Sequence, residues 1–122
     1  YTSFLLKHSR VEYMDTIERI RSIVQTNPVV IFMKGTPEMP RCGFSARASE
    51  ALRQCGDFTH VNIFDEPEIY RALPQFSNWP TFPQIFIGGE LVGGCDISME
   101  LFERGELQQM VKDAQAKSAK KA

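Results

Sequence analysis

Cys42-Gly43-Phe44-Ser45 has the outline of a Cys-x-x-Cys redox motif, with serine standing where the second cysteine would be. A dithiol site attacks a disulfide with its first sulfur and resolves the mixed disulfide with its second. Ser45 has no sulfur and resolves nothing. A thiol so placed either waits for an external thiol or does something else, such as ligate a metal. Taken alone, a cysteine before an apolar helix is more often a small buried hydrophobe than a nucleophile, so the elements around it decide.

Asp15 is a candidate N-cap for a first helix, in which Ile17, Ile20, Ile23 and Val24 recur at helical spacing. Asn27-Pro28 ends that helix, because a residue before proline avoids the helical region. Val29-Val30-Ile31-Phe32-Met33 then reads as a buried central strand. Lys34 to Arg41 is a loop with two prolines, and a helix begins at or next to Cys42, favoured by Ala46, Ala48, Ala51 and Leu52 and stopped by Gly56. Phe58 to Phe64 alternates enough for a second strand, and a short helix with proline in its first turn covers Pro67 to Leu73. Gly88-Gly89 between two short apolar runs predicts a hairpin. A last helical region runs from about Ile97 past Met110, with a break at Gly105. The first half is a βαβ unit with parallel strands and the hairpin adds an antiparallel pair. The expected fold is α/β: one mixed four-stranded sheet flanked by helices on both faces.

That scaffold sets Cys42 after a parallel strand and at a helix start. Helix N-termini offer unpaired N–H groups and partial positive charge, and both stabilise a thiolate. Lys34 and Arg41 add positive charge nearby. In Trp79-Pro80-Thr81-Phe82-Pro83, proline cannot donate to a ladder, so Pro83 belongs at a strand start or edge. A cis Phe82–Pro83 bond would turn the backbone of Thr81-Phe82 outward to pair with an extended peptide; the alternative is an ordinary proline-rich loop. Gly93-Gly94-Cys95-Asp96 is a small anion-binding nest at a helix start. Asp96 either caps that helix or receives the ammonium of a ligand whose carboxylate lies on the helix N-terminus. Cys95 is either a second redox thiol or a small residue in the turn.

Composition narrows the class. The 122 residues, 43% of them apolar, suit one domain with a modest core. A formal net charge of −1 gives no reason to expect nucleic acid or an anionic membrane as partner. Three scattered cysteines, Cys42, Cys55 and Cys95, are too few for a secreted disulfide framework and point to a reducing compartment.

Four pieces, in order, resemble the monothiol glutaredoxins of the Cys-Gly-Phe-Ser class: Met33-Lys34-Gly35-Thr36-Pro37, Cys42-Gly43-Phe44-Ser45, Asn78-Trp79-Pro80-Thr81-Phe82-Pro83-Gln84 and Gly93-Gly94-Cys95-Asp96-Ile97. The resemblance covers residues from about 15 to 111. It leaves residues 1–14 as a flexible extension and 112–122 as a polar tail. It implies a thioredoxin-like fold, a cis Pro83 and glutathione as ligand. By position, Cys42 would be the active thiol and a cluster ligand, and Lys34 would meet the glycine carboxylate of glutathione. Thr81 and Phe82 would pair with its backbone beside Pro83, and Cys95 and Asp96 would hold its γ-glutamyl end. The family usually adds an arginine in the short helix. Counting from Cys42 puts it at Arg71, the residue nominated here, and counting back from Trp79 puts it at Tyr70.

Two mechanisms follow. In one, Cys42 takes glutathione from a glutathionylated protein, and a second glutathione or Cys95 resolves it. In the other, Cys42 and glutathione each give one sulfur, so that two chains hold a [2Fe–2S] cluster between them. The resemblance favours the cluster carrier, with iron–sulfur scaffold and acceptor proteins, and often a BolA-like protein, as partners. The slightly basic lead segment suits a mitochondrial matrix protein, with the cytoplasm as the alternative.

Overall fold

The computed structural model describes residues 2–121, with side chains described from 11 to 120. The order is α1 (Thr2–Thr26), β1 (Val29–Met33), α2 (Gly43–Cys55), β2 (Thr59–Asn62), α3 (Pro67–Ser77), β3 (Gln84–Ile87), β4 (Glu90–Gly93), α4 (Cys95–Glu103) and α5 (Glu106–Lys121). The strands form one sheet in the order β2-β1-β3-β4. β1 runs parallel to β2 and antiparallel to β3, and β3 pairs antiparallel with β4.

Strand alternation divides the core in two. Val29, Ile31 and Met33 face α2 and α5, packing with Ala48, Leu52, Leu107 and Val111. Val30 and Phe32 face the other way, toward Ile20 and Val24 of α1 and Ile69 and Leu73 of α3. β3 alternates in the same sense, with Ile85 and Ile87 in the first cluster and Phe86 in the second. Phe32 and Phe86 meet edge to face at 5.7 Å between ring centroids, a favoured aromatic geometry. Every β1 position is buried, as its unbroken apolar run predicts. The result is the expected thioredoxin-like α/β sandwich.

Three boundaries differ from the sequence expectation. Asp15 caps nothing and lies inside α1, which begins at Thr2. No proline or glycine interrupts Val11 to Met14, Thr16 Oγ1 donates to the Glu12 carbonyl at 3.0 Å, and the Tyr13 hydroxyl donates to Gln75 Oε1 of α3 at 2.7 Å. The stretch expected as a flexible extension is therefore helical from Thr2, and residue 1 lies outside the described residues. α3 continues through Pro74 to Ser77, ending at Asn78 in the left-handed region with φ of 56°. α4 starts at Cys95, two residues before the expected Ile97, with Gly94 as its cap. The polar tail continues α5 as helix, fastened by buried Ala114 and by Gln115 Nε2 donating to the Asp57 carbonyl at 2.6 Å.

Register gathers the catalytic-looking loops at one end of the sheet. Met33, the last residue of β1, pairs with Asn62, the last of β2. Phe32 pairs with Gln84, the first of β3, and Ile85 pairs with Gly93, the last of β4. The segments that leave β1, β2 and β4 and the one that enters β3 therefore converge. Gly35 shapes the first of them. Its φ is +93°, and a methyl group there would stand 2.6 Å from the Met39 carbonyl oxygen and 2.7 Å from the Arg41 nitrogen. Gly35→Ala is expected to destabilise the fold by about 2 kcal/mol. The urea unfolding midpoint measures this, and an unchanged midpoint would show that the loop accommodates a side chain.

Candidate functional site

Cys42 is the N-cap of α2, with extended backbone at φ −154° and ψ 135° and no side-chain oxygen capping the helix. Its carbonyl accepts from the Ala46 N–H at 2.9 Å. An N-cap side chain is the natural partner of the second and third helical N–H groups. Here that side chain ends in sulfur. The Ser45 N–H contributes most to holding the Cys42 thiol below the ordinary thiol range; burial opposes it, and the Phe44 N–H, the Lys34 ammonium and the Ser45 hydroxyl help. The thiol is half-buried and unbridged.

Ser45 is more than a missing cysteine. It is completely buried, and its Oγ accepts from the Lys34 N–H at 3.1 Å. The same hydroxyl helps, by a smaller amount than the Ser45 N–H, to hold the Cys42 thiol down. It thus ties the end of β1 to the first turn of α2. On the other side of Lys34, its carbonyl accepts from the Arg41 N–H at 2.8 Å.

Asn62 is a contributor that sequence reasoning passed over. Its Oδ1 accepts from the Gly35 N–H and from the Phe64 N–H, each at 3.0 Å, and its Nδ2 donates to Asp65 at 3.3 Å. The signal was an asparagine at a strand end followed by Asp65, a turn-forming combination.

The Phe82–Pro83 bond is cis. Pro83 is buried, Phe82 half-buried and Thr81 exposed. This loop abuts the start of α4: a methyl group at Gly94 would stand 3.2 Å from the Pro83 carbonyl oxygen and 3.4 Å from Trp79 Nε1. Cys95 follows in the first turn of α4, buried at 6% exposure. Burial pushes its thiol up; the Arg47 guanidinium pulls it down, and the charges of Asp96 and Cys42 push it up again. Cys95 thus lies within electrostatic reach of Cys42 but is ionised far less readily. Asp96 is exposed in the same turn and makes no capping hydrogen bond, so the capping role open to it is not taken.

Lys34, Cys42, Thr81, Phe82, Pro83, Cys95 and Asp96 are therefore gathered at one end of the sheet. Arg71 is not with them. It lines a groove between α1 and α3 with Tyr13, Thr16 and Gln75. The ring facing Phe82 is that of Tyr70, edge to face at 5.2 Å, with Phe64 beyond it at 6.1 Å. Successive helical residues point about 100° apart, so only one of the two can face the loop, and it is Tyr70. This corrects the nomination of Arg71. Two large apolar side chains are exposed in this part of the chain, Met39 at 65% before the thiol and Phe44 at 53% after it. Phe44 carries the Arg47 guanidinium over its ring at 5.4 Å. Among the described residues no group of three or more His, Cys, Asp or Glu side chains comes together as a metal site.

The glutaredoxin family profile matches residues 29–92. Glutaredoxin 4 of Escherichia coli (strain K12) is 52% identical over 103 residues, covering 84% of this chain and 90% of that protein. The solution structure of reduced poplar apo GrxS14 is 40% identical with a TM-score of 0.70, covering 81% of this chain and 92% of that one. The buckwheat glutaredoxin–glutathione complex is 30% identical with a TM-score of 0.74, covering 85% and 94%. The profile match runs from the start of β1 into β4 and takes in Cys42 and the cis-proline loop. The chain belongs to the glutaredoxin family and, with Ser45 in place of the second cysteine of the Cys-x-x-Cys pattern, is of the monothiol type.

Proposed function

We propose that the chain carries out glutathione-dependent thiol–disulfide exchange at Cys42. The observation that carries this reading is the thiol itself, half-buried at an uncapped helix N-terminus and held below the ordinary thiol range. Cys42 thiolate attacks the glutathione sulfur of a protein–glutathione mixed disulfide. That S–S bond breaks, the protein thiolate leaves and takes up a proton, and Cys42 becomes bonded to glutathione. A second glutathione thiolate attacks the glutathione sulfur on Cys42, forming oxidised glutathione and returning the Cys42 thiolate. Burial pushes the Cys95 thiol up, which favours the second glutathione over Cys95 as the resolving thiol.

In this reading glutathione takes the orientation that the family resemblance implies. Its glycine carboxylate meets the Lys34 ammonium, its cysteine pairs with the backbone of the Thr81-Phe82 segment, and its γ-glutamyl end lies on Cys95 and Asp96. The buckwheat relative crystallised with glutathione supports this choice of thiol. Tyr70 faces Phe82 where the family usually directs an arginine. One charge-assisted contact is then lost and binding is weaker than with the cation present.

One observation favours a second reading, the carriage of a [2Fe–2S] cluster as cargo: the thiolate that Cys42 forms readily is also the form that ligates iron, and it supplies one sulfur per chain. Four sulfurs then require two chains and two glutathione thiolates. The dimer would exist only with the cluster, and cluster scaffold and acceptor proteins, with a BolA-like protein, would be the partners. Ser45 costs this reading nothing, because glutathione supplies the second ligand.

A lowered thiol pKa means that the thiolate survives to lower pH, so reactivity plateaus above the folded pKa and falls as pH drops through it. In a Cys55→Ser, Cys95→Ser background, the iodoacetamide alkylation rate of Cys42 is expected to reach half its plateau below about 8.5, the value for a free thiol. Lys34→Met should move that midpoint upward. A midpoint at or above the free-thiol value would remove the activated thiol from the argument.

Ser45→Cys supplies a resolving sulfur and is expected to raise turnover with a glutathionylated substrate several-fold, on the order of fivefold. Unchanged turnover would mean that another step is limiting. For the second reading, anaerobic reconstitution with iron, sulfide and glutathione is followed by visible absorption and gel filtration. A coloured dimer that forms only with glutathione supports the carrier. A colourless monomer under all conditions leaves thiol exchange alone.

A further inference from the structure

Among the described residues Gln84 is the only carboxamide side chain that the fold buries completely, at 0% exposure. It opens β3 directly after Pro83. Its Nε2 donates to two main-chain carbonyls of the preceding loop, that of Trp79 at 2.9 Å and that of Thr81 at 3.2 Å. Its Oε1 is buried without a partner. A buried amide half of which goes unsatisfied is unfavourable by itself, so the two donated bonds are what its presence achieves.

The loop has little else to hold it. Pro80 and Pro83 carry no N–H. The Trp79 N–H is used at the helix end, donating to the Pro74 carbonyl at 3.2 Å. Among the described residues no other hydrogen bond reaches 80–82. The Phe82 ring is placed by Tyr70, but the main chain is placed by Gln84. The consequence is selective. The Thr81 carbonyl is engaged inside the protein, whereas the Phe82 N–H and carbonyl have no partner among the described residues.

We propose that Gln84 is a positioning residue for ligand binding: it withholds the Thr81 carbonyl and fixes Phe82 as the single residue whose main chain pairs with the backbone of the bound thiol. A one-residue pairing edge suits a short peptide thiol and disfavours a long strand added across the loop. This rests on the reading of the site as one for glutathione.

The test uses the full chain with Gln84→Met, which keeps the volume and removes the donors, and Gln84→Asn, which keeps the amide but draws it back by about 1.5 Å. Both are expected to raise KM for a glutathionylated substrate about tenfold while kcat and the Cys42 alkylation rate stay within about twofold. Backbone ¹⁵N order parameters of Thr81 and Phe82 are expected to fall from about 0.85 to below about 0.6, with Ile85 to Ile87 unchanged. An unchanged KM, or a loss of alkylation in step with kcat/KM, would overturn the proposal. So would rigid Thr81 and Phe82 in both variants, or order lost equally through β3. The relaxation arm needs no glutathione. If the unaltered chain shows no saturable dependence on glutathione, the glutathione reading fails, and the order parameters still decide whether Gln84 holds the loop.

Discussion

The site depends on the unfilled cap of α2. A helix begins with N–H groups that have no partner within it, and most chains satisfy them with a side-chain oxygen. Cys42 offers a sulfur instead, so the N–H groups of Ser45 and Phe44 are satisfied best when that sulfur is an anion. The helix stabilises the thiolate by the same requirement that it be capped. The parallel β1–β2 pairing aims the start of α2 at the end of the sheet where the other loops emerge, and the Lys34–Ser45 bond fixes the approach.

The contrast with Cys95 shows how local the effect is. Both thiols lie in the first turn of a helix or at its cap, at the same end of the sheet, and Cys95 feels the charge of Cys42. Cys42 faces two N–H donors and partial solvent; Cys95 is buried behind the Gly94 turn. Desolvation wins at Cys95 and hydrogen bonding wins at Cys42. Helix position alone therefore does not make a reactive thiol. The number of donors aimed at the sulfur, set against the water removed from it, does.

Much of this was legible in the sequence. The buried run Val29–Met33, the Gly88-Gly89 hairpin and the Gly105 break each have one strong local signal, and each element lies where that signal puts it. The Cys-Gly-Phe-Ser motif announced the thiol. Asp15 is a good cap by type, yet nothing before it disfavours helix, so α1 starts ahead of it. Tyr70 faces Phe82 and Arg71 does not, because one residue of spacing rotates a helical side chain by about 100°, a difference that counting along the chain cannot detect. The roles of Ser45, Asn62 and Gln84 were out of reach for another reason. Their partners are main-chain groups made available by tertiary register, as when Asn62 of β2 reaches the Gly35 N–H beyond β1, and composition records no trace of such pairings.

That Asn62 oxygen has a mechanical consequence. One acceptor serves donors from two loops, Gly35 after β1 and Phe64 after β2. If either loop lifts, the shared acceptor reorients and the other loop loses its partner as well. The two segments then open as one cooperative unit rather than as independent flaps, and amide hydrogens on both would exchange with a common opening free energy.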